Sequence, residues 1–187
     1  MTQGTLQATA AWALDPAHSQ VEFAVKHMMF ATVKGRFRTF AGTAQIDEAN
    51  PDASSVTVEI DAASIDTGVA DRDGHLRSAD FFDVTEYPTV TFRSKRIEGA
   101  AFEPGARFTV IGDLTVRGTT REIALHATFE GRGVDPFGQE KAGFAAEAKL
   151  DRHEFGLTWN QALETGGVLV GREIRLTLDV QFVRPAA

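Results

Sequence analysis

The residues best suited to chemistry lie in one stretch, residues 71–92. Asp73 and Asp80 lie close in sequence to His75, and a carboxylate beside a histidine can transfer protons in general acid–base catalysis. The same grouping has a structural interpretation, in which neighbouring Arg and Asp side chains satisfy one another and anchor the segment to the fold. The residues alone leave both interpretations open.

The other common catalytic and metal-binding patterns are missing from the sequence. It contains no nucleophile elbow, phosphate loop or dinucleotide-binding glycine motif. The chain has no cysteine, and its five histidines form no pair at metal-ligand spacing. From these patterns we expect neither a cofactor nor a metal. A second mixed cluster is either the polar rim of a site or a loop shaped by its glycines. It comprises Trp159, Asn160, Glu164, Gly166 and Gly167.

The segments around residues 71–92 are predicted to be β-strands, because apolar and polar residues alternate in them. The clearest alternating segments are 21–25, 56–60, 108–116, 123–129 and 174–182. A long strand at about 33–47 is expected to bend near Arg38 and Thr39, since Phe37 and Phe40 have opposite parity. Roughly eight strands joined by short turns favour an all-β, antiparallel barrel of one domain.

The stretch 71–92 is predicted to interrupt this barrel with a short helix. Leu76, Ala79 and Phe82 recur at helical spacing, and Asp71 or Asp73 is suited to cap the first turn. The barrel domain is expected to cover residues 11–187, after a disordered tail at 1–10.

Composition limits the partners of the chain. A net charge of −7 disfavours nucleic acid and anionic membranes. No apolar run is long enough for a transmembrane helix, and no signal peptide is recognisable, so a cytoplasmic location is expected. The 14 phenylalanines, against one tyrosine and two tryptophans, can line an apolar cavity as well as fill a core.

Several motifs together resemble the YceI-like family over residues 12–184. They are LDPAHS at 14–19, IDAASIDT at 60–67, DRDGHLRSADFFD at 71–83, YP at 87–88, TF at 91–92 and GDLTVRG at 112–118. The resemblance implies a lipocalin-like, eight-stranded antiparallel barrel with a short helical insert. It also implies that an apolar tunnel binds a polyisoprenoid or another fatty amphiphile, for sequestration or transport, without catalysis. Several members are dimers, which makes a homodimer an expectation here, and many are periplasmic.

The resemblance gives the alternating apolar faces a purpose as the wall of a tunnel. We expect the ligand to contact Phe23, Val25, Phe37, Val58, Ile60, His75, Leu76, Phe81, Phe82, Phe92, Val110, Leu125, Phe129, Phe144, Trp159, Leu176 and Leu178. Arg72 and Arg77 are candidates for contact with a polar headgroup. The charged stretch then becomes a lid over the barrel. Two alternatives stay open: an enzyme acting on a hydrophobic substrate through Asp73, His75 and Asp80, and a stress-related interaction protein with a filled barrel.

Overall fold

A computed structural model describes residues 10–185, and one antiparallel sheet dominates them. Its strands are β1 (Ala10–Leu14), β2 (Gln20–His27), β3 (Ala31–Phe37), β4 (Phe40–Ile46), β5 (Ser55–Asp61), β6 (Ile65–Asp66), β7 (Thr89–Glu98), β8 (Arg107–Val116), β9 (Thr119–Val134), β10 (Glu140–Asp151) and β11 (Val170–Val183). A short helix, α1 (Ala70–Arg77), lies between β6 and β7. Residues 1–9 of the predicted tail lie outside the described residues, and Ala10 begins β1.

The sheet closes on itself as an eight-stranded barrel. β1 pairs with β4 on one side and β11 on the other, and the ring continues through β5, β7, β8, β9 and β10. Three positions of the ring hold two strands in line: β2 continues β1, β3 precedes β4, and β6 follows β5. Eleven strands therefore occupy eight positions. The prediction of an all-β, eight-stranded antiparallel barrel with a short helical insert is confirmed.

The breaks between strands that lie in line occur where the apolar alternation of the sequence is interrupted. Arg38 and Thr39 separate β3 from β4, at the predicted bend. A one-turn 3-10 helix, Pro16–His18, separates β1 from β2, and the Asp15 side chain accepts a hydrogen bond from the amide of Ala17 at 3.0 Å. These breaks let long strands change direction, which a strongly curved sheet requires.

Helix α1 is shorter than predicted. It ends at Arg77, because Ser78 turns to an extended conformation and its hydroxyl donates to the carbonyl of His75 at 2.7 Å. Ala79 and Phe82 therefore lie beyond the helix. Phe82 is nevertheless held near Leu76, since its amide donates to the Leu76 carbonyl at 3.0 Å.

The start of α1 also differs from the prediction. Val69 occupies the N-cap position, and no side chain caps the helix there. Asp71 therefore does not cap it. The carboxylate of Asp73 instead accepts a hydrogen bond from the amide of Thr67, three residues before the helix begins, at 2.9 Å. Helix formation here depends on tertiary contacts more than on local capping.

Antiparallel pairing brings four connections to one end of the barrel, here called the insert end. They are the insert (residues 70–88), the turn 28–30, the turn 117–118 and the segment 152–169. The connections 47–54, 99–106 and 135–139 lie at the opposite end.

Candidate ligand-binding cavity

A cavity of about 300 Å³ runs through the interior of the barrel. It reaches Arg152 and Val170 at the insert end and Pro51 and Phe102 at the opposite end. Its wall presents only apolar atoms. The volume is at the lower limit of the ~300–1,000 Å³ that is usual for small-molecule pockets. Such an interior suits a ligand that presents apolar surface along its length, and it distinguishes this barrel from a filled one.

Most of the residues predicted to contact a ligand line this cavity. These are Phe23, Val25, Phe37, Val58, Ile60, Leu76, Phe81, Phe82, Phe92, Val110, Leu125, Phe144, Leu176 and Leu178. They come together because alternate residues of each strand point inward. Their contact with a ligand stays a prediction.

Three of the predicted residues do not line the cavity: Phe129, His75 and Trp159. The ring of Phe129 is buried against the rings of Phe102 and Phe144, with centroids 5.5 and 5.4 Å away. Phe129 therefore supports two residues of the wall without belonging to it. Its alternation with Leu125 predicts the buried face correctly, but alternation alone does not separate a wall residue from one packed behind it.

The insert closes the cavity with apolar side chains. Leu76, Phe81 and Phe82 all line it. The ring of Phe82 meets that of Phe37 edge to face, with centroids 5.8 Å apart, so the insert packs on the wall of the barrel and covers its interior.

Charged side chains fasten the insert to the preceding segment. Arg77 donates to the carbonyls of Ala63 and Ile65 at 2.8 and 2.9 Å. Arg72 donates to the hydroxyl and carbonyl of Thr67 at 2.7 and 3.0 Å. Neither arginine lines the cavity, and both hold α1 against β6 and its neighbours.

The proposed acid–base group is divided between two sets of partners. Asp73 is buried, and its carboxylate accepts from both the amide and the hydroxyl of Thr67. His75 pairs with Asp80 across 2.8 Å on the exposed side. None of the three side chains lines the cavity. The arrangement matches the anchoring interpretation of this stretch.

His75 instead joins the insert to the segment 152–169. Its ring lies 4.7 Å from the ring of Trp159 and 5.1 Å from that of Phe81, both edge to face. The rings of Phe81 and Trp159 are themselves 5.4 Å apart. This aromatic cluster is where the two segments meet over the insert end.

The residue that shapes the segment 152–169 is Arg152, which sequence patterns did not single out. Its guanidinium donates to the carbonyls of Leu157, Trp159, Val170 and Gly171 at 2.6, 2.9, 3.2 and 2.8 Å. Burial lowers the pKa of Arg152 from its ordinary value, although the carboxylate of Asp151 acts in the opposite direction. Arg152 nevertheless borders the cavity, whose wall presents only apolar atoms.

Asn160 completes this arrangement. Its side-chain amide donates to the carbonyl of Val170 at 2.7 Å, and its side-chain oxygen accepts from the Val170 amide at 3.0 Å. Gly166 and Gly167 have φ of 89° and 88°, which agrees with the interpretation of the 159–167 cluster as a loop shaped by its glycines. No local motif marks these bonds of Arg152 and Asn160, because Val170 and Gly171, which accept them, lie 10 to 19 residues farther along the chain.

Further wall residues come from faces that the alternation had identified. Examples are Phe108, Leu114, Ile123, Ile174, Val180 and Phe182. Others lie in connections, where no periodicity marks them, such as Ala100, Phe102, Phe155 and Leu157.

Two features of residues 10–185 bear on other functions. None of their helices is long and apolar enough to cross a membrane. Within the same range, no three histidine, aspartate or glutamate side chains are grouped as they would be around a metal ion.

The sequence matches the model of the YceI-like domain over residues 12–182. A UPF0312 protein of Vibrio cholerae serotype O1 is 42% identical over 141 residues, which are 75% of this chain and 73% of the relative.

Two solved structures share the fold. BcnA of Burkholderia cenocepacia has a TM-score of 0.77 and 25% identity, over 90% of this chain and 98% of its own. A polyisoprenoid-binding domain from Saccharophagus degradans has a TM-score of 0.69 over 94% of this chain and 99% of its own. That domain is 16% identical, so its likeness concerns the fold alone.

Proposed function

The chain belongs to the YceI-like family, and we propose on that premise that it binds a polyisoprenoid or another long-chain amphiphile in its barrel, for sequestration or transport. The observation that carries the proposal is the cavity wall, which is apolar from one end of the barrel to the other. The polyisoprenoid-binding domain of similar fold supports the class of ligand.

Apolar contact alone can supply useful affinity for such a ligand. Burying about 400 Å² of apolar ligand surface contributes about 10 kcal/mol, from which the entropy costs of association are subtracted. An isoprenoid or acyl chain offers this surface and has no polar group that the wall would leave unpaired. A polar headgroup is expected to emerge at one end of the cavity.

Headgroup contact by Arg72 and Arg77 stays part of the proposal. Both lie at the insert end, although four of their donor contacts are to Thr67, Ala63 and Ile65. Recognition of phosphate by these arginines requires a polyprenyl pyrophosphate to bind more tightly than the alcohol of equal chain length. Equal affinities would contradict it.

We propose binding without catalysis, because the candidate acid–base residues are occupied in anchoring and lie outside the cavity. Turnover of a bound amphiphile, abolished by Asp73→Asn, would favour the enzymatic alternative.

The first test is native mass spectrometry of the purified protein. A co-purifying mass that organic extraction removes, and that added prenyl lipid restores, is the expected result. A clean protein mass that takes up no added prenyl or fatty amphiphile would overturn the proposal.

A pair of neighbouring residues offers a matched control for the site. Ala146 lines the cavity, whereas Ala145 faces outward on the same strand. Ala146→Phe should fill part of the lumen and weaken ligand binding by about tenfold or more, since overfilling a packed site costs about 1–3 kcal/mol. Ala145→Phe should leave affinity unchanged. Titration of a fluorescent prenyl or fatty-acid probe measures both variants.

Dimerisation and a cytoplasmic location also remain proposals. Sedimentation-velocity ultracentrifugation of the purified protein would decide the first, and fractionation of the source cells the second.

A further inference from the structure

Three consecutive apolar side chains project from the insert end at the turn between β2 and β3. Met28, Met29 and Phe30 are 39%, 65% and 76% exposed, and this group is here called the hairpin tip. Isolated exposed apolar residues are ordinary, but a contiguous group indicates a contact surface.

The hairpin tip contacts the segment 152–169, and the exposed apolar surface continues onto that segment. The amide of Met28 donates to the carbonyl of Leu169 at 2.8 Å. Met29 packs over Gly167, where an added β-carbon would lie 3.2 Å from the Met29 sulfur. Val168, between these two contacts in the chain, is 38% exposed and extends the apolar surface. The tip is therefore positioned by the fold.

The backbone conformation of the tip is one that methionine adopts only at an energetic cost. Met28 and Met29 have φ of 51° and 69°, a left-handed conformation that Gly and Asn adopt at less cost. Strain of this kind is concentrated at functional sites, where the side chain matters more than the backbone cost. Flexible methionine side chains are common at surfaces that accept variable apolar partners.

Cationic side chains lie directly behind the tip on the outer face of the barrel. Arg175 of β11 and Lys34 of β3 both pair in register with Ala24 of β2, so they form one row across three strands. Lys26 lies one row nearer the tip and donates to the hydroxyl of Thr32 at 3.0 Å.

Two neighbouring carboxylates are engaged with other cations, whereas Glu22, one row farther from the tip, is in register with Arg36. Asp66 pairs with Arg36 and Arg38, and Glu173 pairs with Lys149 at 3.5 Å. Lys26, Lys34 and Arg175 therefore form a group of cationic side chains behind the tip, on a chain whose net charge is −7.

The tip is continuous with the cavity. Val25 and Val170 both line the cavity, and Val170 is in register with His27, the residue before the tip. Val25 is three residues from Met28, which corresponds to about 10 Å along a strand. A surface that receives the tip would therefore face the end of the apolar lumen.

We propose that the hairpin tip docks on a lipid bilayer that contains anionic lipids. Met28, Met29 and Phe30 enter the boundary between headgroups and acyl chains, and Lys26, Lys34 and Arg175 contact the anionic headgroups. Docking holds the insert end against the membrane, where an amphiphile can pass between bilayer and barrel. This purpose rests on the proposed function, whereas docking itself can be measured without a ligand.

The first test is flotation of the full chain with vesicles of phosphatidylcholine, with and without phosphatidylglycerol. Wild type should bind the anionic vesicles more tightly, and binding should weaken with added salt. The variant Met28→Asn/Met29→Gly suits the left-handed turn and should fold at least as stably as wild type. It should nevertheless lose about tenfold or more in vesicle affinity.

Two further variants separate the contributions. Lys34→Gln/Arg175→Gln should reduce affinity for the anionic vesicles by about 25-fold, at about fivefold for each cation, and should leave binding to neutral vesicles unchanged. Phe137, 90% exposed at the opposite end, provides the matched control, and Phe137→Ser should bind vesicles as wild type does.

The outcomes distinguish docking from ligand binding. Wild type that takes up an added prenyl lipid but does not float with either vesicle would overturn docking and leave the proposed function standing. Flotation lost in Met28→Asn/Met29→Gly, in protein that takes up no lipid, would support docking and remove the proposed function. A wild-type dimer that this variant converts to monomer would show that the tip binds a second copy, and would also overturn docking.

Discussion

The polar residues around the cavity act on the backbone and leave the lumen apolar. Arg152 directs its guanidinium at four carbonyls, and Arg72 and Arg77 bind the segment 63–67. A planar guanidinium suits this task, because its donors diverge and can satisfy several carbonyls at once. Charged side chains are thus compatible with an apolar cavity, since their role is to hold the segments that close the ends.

Acid should weaken the ion pair between Asp151 and Arg172, which joins the two strands that flank the segment 152–169. The Arg172 guanidinium, 2.5 Å away, holds the pKa of the Asp151 carboxyl below its ordinary value of 3.8, and the His153 amide acts in the same direction. The ionised form therefore stabilises the folded chain above pH 3.8, and the contribution is lost as pH falls through the lower folded pKa. The free energy of unfolding of wild type should exceed that of Asp151→Asn at pH 7. Urea denaturation from pH 7 to 3 should show this difference shrinking below about pH 4.

Asp151→Ala supplies the comparison for that series. Asparagine can still accept the hydrogen bond that the His153 amide donates at 2.9 Å, whereas alanine cannot. Asp151→Ala should be less stable than Asp151→Asn at every pH. A wild-type advantage over Asp151→Asn that persists unchanged at pH 3 would show that the ion pair with Arg172 is not its source.

At the scale of elements, the alternation of apolar and polar residues predicts the strands, but it does not predict the connections. Val58 and Leu176 are placed on the inner face by period two alone. The end of α1 depends on one Ser78 hydroxyl, and Phe102 reaches the cavity from a connection without periodicity. Such residues are positioned by tertiary contacts, which a local pattern does not encode.

The close approach of β7 and β8 depends on a glycine. A β-carbon on Gly112 would lie 2.4 Å from the carbonyl oxygen of Arg93 and 2.8 Å from the α-carbon of Ser94, beside an irregularity in the register between Ser94 and Arg96. Because backbone atoms cannot rotate aside, Gly112→Ala should lower the free energy of unfolding by about 1–3 kcal/mol. Equilibrium denaturation in urea measures the loss.

Gly133 is the matched control for this prediction. It lies in β9, and a β-carbon there would meet no atom within 4 Å. Gly133→Ala should leave stability unchanged or raise it by about 0.4–1 kcal/mol, because alanine restricts the unfolded chain. Equal destabilisation by both substitutions would mean that strand propensity, and not crowding at β7, determines the effect.

For the whole molecule, an eight-stranded ring has room for packed side chains or one small ligand. Under the proposed function, the connections at its two ends determine how a ligand enters. At the insert end two separate segments close the lumen, and they meet through the rings of His75, Phe81 and Trp159. At the opposite end Pro51 and Phe102 line the cavity. Neither end is closed by continuous sheet, so exchange of a ligand requires movement of a connection.

We expect ligand exchange to pass through the insert end, because the hairpin tip and the cationic side chains behind it lie there. Trp159→Ala removes two edge-to-face or tilted ring contacts, each contributing about 0.5–1.5 kcal/mol. Together these contacts amount to about 1–3 kcal/mol, so their loss should raise the dissociation rate of a bound prenyl probe by about fivefold or more. The association rate should rise nearly as much, since Trp159 does not line the cavity. The equilibrium affinity should change little.

Phe102→Ala tests the opposite route, since it removes a wall residue at the other end. If exchange passes the insert end, it should weaken equilibrium binding mainly through lost contact area and leave the association rate unchanged. Stopped-flow fluorescence gives both rate constants, and thermal denaturation confirms that each variant is folded. A faster association in Phe102→Ala, with no change in Trp159→Ala, would place the entrance at the opposite end and leave the apolar cavity as the binding site.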